Sequence, residues 1–325
     1  MINWGFIGCG SVTELKSGPA FSKVDNSNVV AVMRRNGELA KDYAQRHNID
    51  KHYDNAYSML ADKDINAIYV ATPPGSHAEY AIAAIKMGKP VYIEKPMAVS
   101  YSDCKLIAEI AAREGVDCFV AYYRRTLPYF LRVKQLIDSG EVGEVLEVNI
   151  NFINPPYKTD LRKDTLTWRV KPDESGAGYF YDLASHQFDF LDFFFGPIVN
   201  AKGETKNVSG LYDVEDTVDA EWVFENGIKG SGHWEFAADV KERTDEVTII
   251  GSDGTIKFST FLFTPIVLDN SKGEQQFTEE NPENIQYNLI ESVVNHLNGK
   301  GEYPVSDFRS AMRTNKVMDK ILGII

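Results

Sequence analysis

The side chains best suited to proton transfer lie in one short segment and at one distant lysine. Asp182, His186 and Asp189 are spaced i, i+4 and i+7, so a helix over 182–194 would place all three on one face. Histidine titrates near neutral pH and often serves as a catalytic acid or base. Lys95 follows the apolar run 91–93, which predicts a buried strand whose carboxyl edge carries the lysine to a ligand crevice.

Each of these groups also has a simpler interpretation. A lysine at a strand end can be solvated at a turn, and a histidine near an acid is commonly structural. The segment could also hold a metal, but no further His/Cys cluster lies nearby and the closed ligand set of a structural zinc is missing. We therefore predict no metal site. The glycines at 176 and 178, just before the segment, would let a ligand approach the backbone closely.

A glycine-containing turn lies at the amino terminus. The strand predicted over 2–8 runs into Gly8-Cys9-Gly10-Ser11-Val12-Thr13, where two glycines allow a tight turn and close approach of a pyrophosphate to a helix beginning near Ser11. Thr13 replaces the third glycine of the usual fingerprint, and a simple tight turn is the alternative. The predicted cofactor contacts in this turn are Gly8, Gly10, Ser11 and Val12.

The second predicted strand, 28–33, ends in two arginines. An acid here would bind the ribose hydroxyls of NAD, whereas Arg34 and Arg35 suit the 2′-phosphate of NADP because guanidinium binds phosphate through its planar fork. The alternative is a solvated arginine pair that opens a helix over 37–47. We predict NADP as the cofactor, with NAD possible.

Two further strand ends extend the predicted cofactor edge. Thr72 and Pro73 end the strand over 66–72, and Glu94 and Lys95 end the strand over 91–95. His77 opens the helix predicted over 77–87 and is a candidate cofactor contact, unless it is an early-helix side chain facing solvent. Strands and helices alternate up to residue 122, which predicts a doubly wound parallel sheet.

After residue 122 the pattern changes. A helix is predicted over 129–139, and period-two strands follow at 145–152, 199–206, 217–224, 228–236, 245–251, 254–260 and 264–269. Turns at 225–227 and 252–254 suit antiparallel hairpins. Helices are predicted over 284–298 and 306–322, and the last could pack on the first domain. The fold class is α/β, with a nucleotide-binding domain over 1–122 and an α+β domain with a mostly antiparallel sheet over 123–325.

Composition limits the functional classes. The chain has 325 residues, 43% of them hydrophobic, and a formal net charge of -13 that lies almost entirely after residue 122. This charge argues against nucleic acid or an anionic membrane as a partner. The three cysteines lack a CxxC pair, and no segment has the character of a signal peptide or membrane span, so we expect a cytoplasmic protein.

Several of these segments together resemble a known family. GFIGCGSVT, ATPPGSHAEYA and above all Glu94-Lys95-Pro96 are similar to the glucose-fructose oxidoreductase and inositol dehydrogenase family, called Gfo/Idh/MocA. The segment at 182–189 matches the family motif Asp-x-Gly-x-His-x-x-Asp at its charged positions, with Ala184 in place of the glycine. The resemblance covers nearly the whole chain and is weakest in the second sheet.

The resemblance implies an amino-terminal Rossmann domain followed by a domain with a large, open sheet that often joins subunits, hence a homodimer or homotetramer. It places Lys95 beside nicotinamide and substrate, next to a Lys-Pro bond that can be cis. It also implies that Trp168 and Arg169 lie near the nicotinamide and substrate, although they could instead form an interface cation–π pair. Tyr123 is a candidate substrate contact, and Arg124 could line the same cleft or pair with an acid.

Roles follow from pKa values. Oxidation of an alcohol needs a base near neutrality, which histidine is at pKa ~6.5, whereas lysine at ~10.4 would need a shift of roughly three units. His186 is therefore the predicted base, and Lys95 is the fixed charge that stabilises alkoxide character. Asp182 would orient the imidazole or bind substrate.

The sequence thus predicts an NADP-dependent oxidoreductase acting on a secondary alcohol or carbonyl of a sugar or polyol. An NAD-dependent glycosidase with transient substrate oxidation and a non-catalytic NADP-binding regulator of the same fold remain the alternatives.

Overall fold

The computed structural model describes all 325 residues, which form two compact units. The first unit comprises Met1–Leu127 and Pro282–Met312, and the second comprises Pro128–Asn281 and Arg313–Ile325. Each unit is therefore built from two separate stretches of the chain.

The first unit contains a six-stranded parallel sheet. Its strands are β1 (Ile2–Ile7), β2 (Ser27–Met33), β3 (Lys51–Tyr53), β4 (Ala67–Val70), β5 (Val91–Ile93) and β6 (Cys118–Val120). They lie in the order β3-β2-β1-β4-β5-β6, and all neighbours pair in parallel. The order reverses between β1 and β4, and in doubly wound sheets the ligand crevice opens at the carboxyl ends of such strands.

The second unit contains an eight-stranded sheet. Its strands are β7 (Val145–Ile153), β8 (Ile198–Lys206), β9 (Thr217–Phe224), β10 (Lys229–Glu235), β11 (Thr244–Gly251), β12 (Gly254–Phe258), β13 (Ile266–Asn270) and β14 (Gly273–Phe277). The order is β14-β13-β12-β11-β7-β10-β9-β8, and only β7 and β10 pair in parallel. The predicted fold class, a parallel sheet followed by a mostly antiparallel one, is confirmed.

The helices follow the strands in the expected alternation. They are α1 (Ser11–Leu15), α2 (Gly18–Lys23), α3 (Gly37–Arg46), α4 (Ala56–Leu60), α5 (His77–Lys86), α6 (Tyr101–Glu114), α7 (Pro128–Asp138), α8 (Pro172–Ser175), α9 (Ser185–Phe195), α10 (Tyr287–Leu297) and α11 (Phe308–Ile321). A π-helical turn, Phe180–Ala184, precedes α9. None of these helices combines the length and apolar character that crossing a bilayer requires.

Two hydrophobic clusters cover the two faces of the parallel sheet. Val91 and Ile93 of β5 belong to the cluster that contains α5 and α6 residues, whereas Tyr92 belongs to the cluster that contains Phe21 of α2 and Val293 of α10. The side chains of β5 therefore alternate between the two faces of the sheet, as they do along any strand.

The antiparallel sheet buries one face. On β9, Val218, Ala220, Trp222 and Phe224 are buried, while the intervening residues are mostly exposed. Phe188 of α9 packs edge-on against Trp222, with ring centroids 5.2 Å apart. The helix that carries His186 is therefore anchored on this sheet through aromatic contacts.

Candidate active site

The turn after β1 has the backbone geometry of a phosphate-binding loop. Gly8 has φ +95°, and a Cβ there would lie 2.8 Å from the Ala71 carbonyl, so only glycine fits beside the end of β4. A Cβ at Gly10 would meet nothing within 4 Å, which leaves open space next to the loop. The first amides of α1, at Ser11 and Val12, have no acceptor within the helix. Tight turn, open space and amide donors together fit a pyrophosphate.

Thr13, at the position of the missing third glycine, is part of the loop structure. It is fully buried, and its hydroxyl donates to the Gly10 carbonyl at 2.9 Å. The Thr13 carbonyl accepts from the Tyr43 hydroxyl at 2.9 Å, and a Cβ at Gly18 would lie 2.0 Å from the same oxygen. The glycine that permits close packing here is therefore Gly18.

The two arginines after β2 are exposed to solvent, so a bound phosphate can reach them. Arg34 and Arg35 are both exposed, and Arg34 Nη1 donates to the carbonyl of Cys9 at 3.4 Å. The neighbouring Asn36 side chain accepts from the Leu39 amide and caps α3. The guanidinium of Arg34 is thus held along the glycine loop.

His77 connects two strand-end loops. Its Nε2 lies 2.7 Å from the Thr72 carbonyl oxygen and its Nδ1 lies 3.0 Å from the Pro96 carbonyl oxygen. The side chain is fully buried, so the interpretation of a solvent-facing residue is wrong. Burial lowers the pKa of His77 to about 4, against the opposing effect of the backbone hydrogen bonds. Because both ring nitrogens face backbone oxygens, the contact between His77 and a cofactor stays a prediction. Thr72 and Pro73, at the same edge, are half-buried.

Glu94 and Lys95 lie where the sequence predicts, at the end of β5. The Glu94 carboxylate is 8% exposed, and its Oε1 accepts from the Tyr69 hydroxyl and from Gln286 Nε2 at 2.7 Å. Lys95 is half-buried, and its charge is one of the effects that lower the pKa of His77. The Lys95-Pro96 peptide bond is cis.

In the second unit, the predicted helix over 182–194 has a different start. Asp182 lies in the π-helical turn, and His186 lies in the first turn of α9. Each hydrogen bond in a π-turn spans five residues, so the regular α-helical spacing predicted from Asp182 onward is wrong at this end. Asp182 is 9% exposed and His186 is 3% exposed. The π-helical turn therefore sets the spacing between Asp182 and His186, and such turns often occur at functional sites.

Arg169 and Trp168 are brought to Asp182. Arg169 Nε donates to Asp182 Oδ2 at 2.9 Å, and the guanidinium carbon lies 4.6 Å from the centroid of the Trp168 ring. The arginine therefore balances the buried carboxylate while it contacts an aromatic face. The cation–π contact considered from sequence is present within this unit.

The glycines before the motif do not all serve ligand access. Gly178 has φ +62°, and a Cβ there would lie 2.5 Å from Val214 Cγ2. The space at Gly178 is taken by the chain itself, so the prediction that it admits a ligand is wrong at this position.

Tyr123 belongs to the first unit. It begins a 3-10 turn after β6, is half-buried, and has the Arg124 guanidinium carbon 5.1 Å from its ring centroid. Both residues thus follow a strand end of the parallel sheet, and their contact with substrate stays a prediction.

Three residues near these groups were not found from the sequence. Tyr69 and Gln286 bind Glu94, and Tyr157 lies close enough to Asp182 for the carboxylate, after burial, to raise the pKa of its hydroxyl. Tyr69 had a weak signal, because the strand alternation places it on the same face as Tyr92. No local pattern marks Gln286 or Tyr157.

Comparison with known protein families shows to which family the chain belongs. Residues 2–122 match the family described as "Oxidoreductase family, NAD-binding Rossmann fold", and residues 130–257 match the "GFO/IDH/MocA C-terminal domain". The chain belongs to the GFO/IDH/MocA oxidoreductase family. The resemblance found in the sequence is confirmed, and this GFO/IDH/MocA chain is an NAD-binding oxidoreductase.

Relatives of this GFO/IDH/MocA protein extend over the whole chain. Oxidoreductase P35 of Formosa agariphila is 41% identical over 323 residues, which are 99% of this chain and 98% of that protein. The scyllo-inositol 2-dehydrogenase (NAD(+)) of Bacillus subtilis is 25% identical over 72% of this chain and 67% of its own length. The structure of a levoglucosan dehydrogenase in complex with NADH and levoglucosan has a TM-score of 0.86 at 22% identity and covers 99% of this chain and 96% of that one, which shows the shared fold.

Proposed function

We propose that this protein is an NADP-dependent oxidoreductase that transfers a hydride between the nicotinamide and a secondary alcohol or carbonyl carbon of a sugar or polyol. The observation that carries the choice of cofactor is the position of Arg34, exposed at the end of β2 with its guanidinium on the Cys9 carbonyl of the glycine loop. The substrate class is supported by relatives named for inositol and levoglucosan.

The chemistry of the β2 end favours a phosphate over bare ribose hydroxyls. Arg34 and Arg35 provide two cations, and the next residue, Asn36, uses its side chain to cap α3. Residues 34–36 contain no carboxylate at the position where an acid would accept ribose hydroxyls. The other proposed contacts follow the carboxyl edge of the sheet and the second unit: Gly8, Gly10, Ser11, Val12, Thr72, Pro73, His77, Glu94, Lys95, Trp168 and Arg169.

The proposed catalytic residues are Lys95, Asp182 and His186. NADP, when bound, supplies the nicotinamide that accepts or gives the hydride. His186 takes the hydroxyl proton during oxidation, and the Lys95 ammonium hydrogen-bonds the reacting oxygen. Asp182, whose charge Arg169 balances, orients the imidazole or binds a substrate hydroxyl. Tyr123 and Arg169 are the further proposed substrate contacts.

The two predicted domains receive separate tasks in this proposal. Residues 1–122, which lie in the first unit, bind the cofactor, and the part of residues 123–325 that forms the second unit shapes the substrate site and joins subunits through the eight-stranded sheet. We propose a homodimer or homotetramer, which sedimentation of the purified protein tests directly.

A substrate panel tests the function. Sugars, inositols and ketones are incubated with NADP(H) and with NAD(H), turnover is followed by nicotinamide absorbance, and hydrolysis of aryl glycosides is measured in parallel. We expect substrate-dependent NADPH formation or consumption. Glycoside hydrolysis without net change in the cofactor would point to the glycosidase alternative, and binding of NADP without either activity would point to a regulator.

A further inference from the structure

A buried polar network holds the acid next to the proposed catalytic lysine. Glu94 Oε1 accepts from the Tyr69 hydroxyl and from Gln286 Nε2 at 2.7 Å. The Gln286 Oε1 in turn accepts from the Tyr92 hydroxyl at 3.0 Å, which fixes the amide with its nitrogen towards Glu94. Tyr69, Tyr92 and Gln286 are each at most 2% exposed. The carboxylate is therefore held from inside the first unit by two donors.

Burial confirms the direction of one of these hydrogen bonds. It raises the pKa of Tyr69 well above its ordinary value, and the Glu94 carboxylate raises it further. Tyr69 thus keeps its proton at neutral pH and donates it to Glu94.

Glu94 and Lys95 act on different parts of the first unit. Tyr69 and Tyr92 lie in the cluster that contains α2 and α10, and Glu94 continues that face two residues after Tyr92. Lys95 follows Glu94 beyond the end of β5, and its charge acts on His77 at the start of α5. The Glu94 carboxylate is thus bound by groups of the α10 cluster, whereas the Lys95 charge acts on a residue of α5, which packs on the other face of the sheet.

We propose that Tyr69 and Gln286 are positioning residues for Lys95: they hold the Glu94 carboxylate on the α10 face and keep it from pairing with the neighbouring ammonium. This inference rests on the proposed function, in which the Lys95 charge stabilises the reacting oxygen. A carboxylate released from its two donors can turn towards the ammonium of the next residue, Lys95. An ammonium paired with Glu94 is worse placed to stabilise negative charge on a substrate oxygen.

Gln286 comes from a distant part of the chain. Gln286 immediately precedes α10, in the segment Pro282–Met312 that rejoins the first unit after the second sheet. The side chain that holds Glu94, next to Lys95, therefore comes from a residue 192 positions later in the chain.

A rescue experiment tests the proposal. The pair Tyr69→Phe and Gln286→Leu removes both donors with little change in shape, and it is measured in the native background and in a Glu94→Gln background. We expect kcat to fall about tenfold in the native background, and less than about threefold when Glu94→Gln has removed the charge that competes for Lys95. Within each background, the donor pair should change NADPH affinity, measured by nicotinamide fluorescence, less than about threefold.

A purely structural role predicts a different result. In that case the double substitution would lower kcat equally in both backgrounds, and this outcome, or no fall at all, would overturn the proposal. Ser27→Ala is the matched control, because it removes one side-chain hydrogen bond, from Trp4 Nε1 at 3.1 Å, at the amino end of β2. If the double variant does not fold, Tyr69→Phe alone, which loses only a hydroxyl, is compared across the same two backgrounds.

Lys95→Met separates this inference from the function on which it rests. Turnover that persists in Lys95→Met contradicts the proposed catalytic set. Loss of turnover in Lys95→Met, with equal effects of the donor substitutions in both backgrounds, contradicts only the positioning role of Tyr69 and Gln286.

Discussion

Replacing Arg34 with alanine should weaken NADP binding far more than NAD binding. Arg34 is exposed at the end of β2, and its Nη1 donates to the Cys9 carbonyl at 3.4 Å. The substitution therefore removes a cation from the predicted phosphate site without opening a cavity in the core. NAD has no 2′-phosphate for this cation to bind.

The expected magnitude follows from one charge-assisted hydrogen bond. Such a bond contributes ~1.5–3 kcal/mol, which corresponds to roughly one to two decades in Kd. The exposure of Arg34 places it in the lower half of that range, because solvent screens the interaction. We expect the Kd of NADPH to rise roughly ten- to thirtyfold and that of NADH to change less than about threefold.

Fluorescence titration of NADPH and NADH measures both affinities in the same protein. Arg113→Ala is the matched control, since Arg113 is an exposed arginine in the last turn of α6, paired with Glu114 at 2.8 Å. Both substitutions remove one positive charge, but Arg113 lies where α6 ends, at the amino edge of the sheet, and the cofactor is predicted at the carboxyl edge. Equal loss of NADH and NADPH affinity in Arg34→Ala, or no loss of either, would refute the assignment of Arg34 to the 2′-phosphate.

The other predictions concern catalysis, pH and stability. Lys95→Met combined with His186→Ala should abolish turnover on any substrate that the panel identifies, and surviving turnover would exclude this pair. Burial lowers the pKa of His77 from 6.5 to about 4, so the unfolded state binds a proton first as pH falls. The free energy of unfolding therefore has its full value above pH 6.5 with respect to this residue, and it decreases by about 3 kcal/mol towards pH 4. Urea unfolding should show this loss to be smaller in His77→Gln, whereas parallel pH curves would contradict it. Gly178→Ala should destabilise the protein by about 1–3 kcal/mol more than Gly140→Ala, because both glycines have positive φ but a Cβ at Gly178 also meets a valine at 2.5 Å; equal melting temperatures would count against this reasoning.

The strands of both sheets could be predicted where hydrophobic periodicity is strong, and the exceptions have physical reasons. β3 has three residues, too few for any period, and the β14 sequence GEQQF is polar and almost entirely exposed at the sheet edge. The helix α2 begins with Gly18 and Pro19, which usually indicate a turn, although proline is favoured in the first turn of a helix.

The candidate site divides in the same way. The glycine loop, Lys95 and the Asp182 segment are local patterns, and the sequence alone placed them at strand ends and on a helix. The partners that hold them are distant in sequence: Tyr69 and Gln286 reach Glu94 across 25 and 192 positions. The π-helical turn at Asp182 could not be predicted either, because it changes hydrogen-bond spacing without changing the hydrophobic pattern.

The discontinuous first unit also governs how this protein can be made and dissected. Leu289, Ile290, Val293 and Val294 of α10 are fully or almost fully buried in the same cluster as Phe21 and Tyr92. A ribosome must therefore synthesise most of the chain before the nucleotide-binding half can close its core. A fragment that ends at residue 127 would expose the hydrophobic surface that α10 covers. A soluble version of the first unit therefore needs the 282–312 segment fused to its carboxyl end.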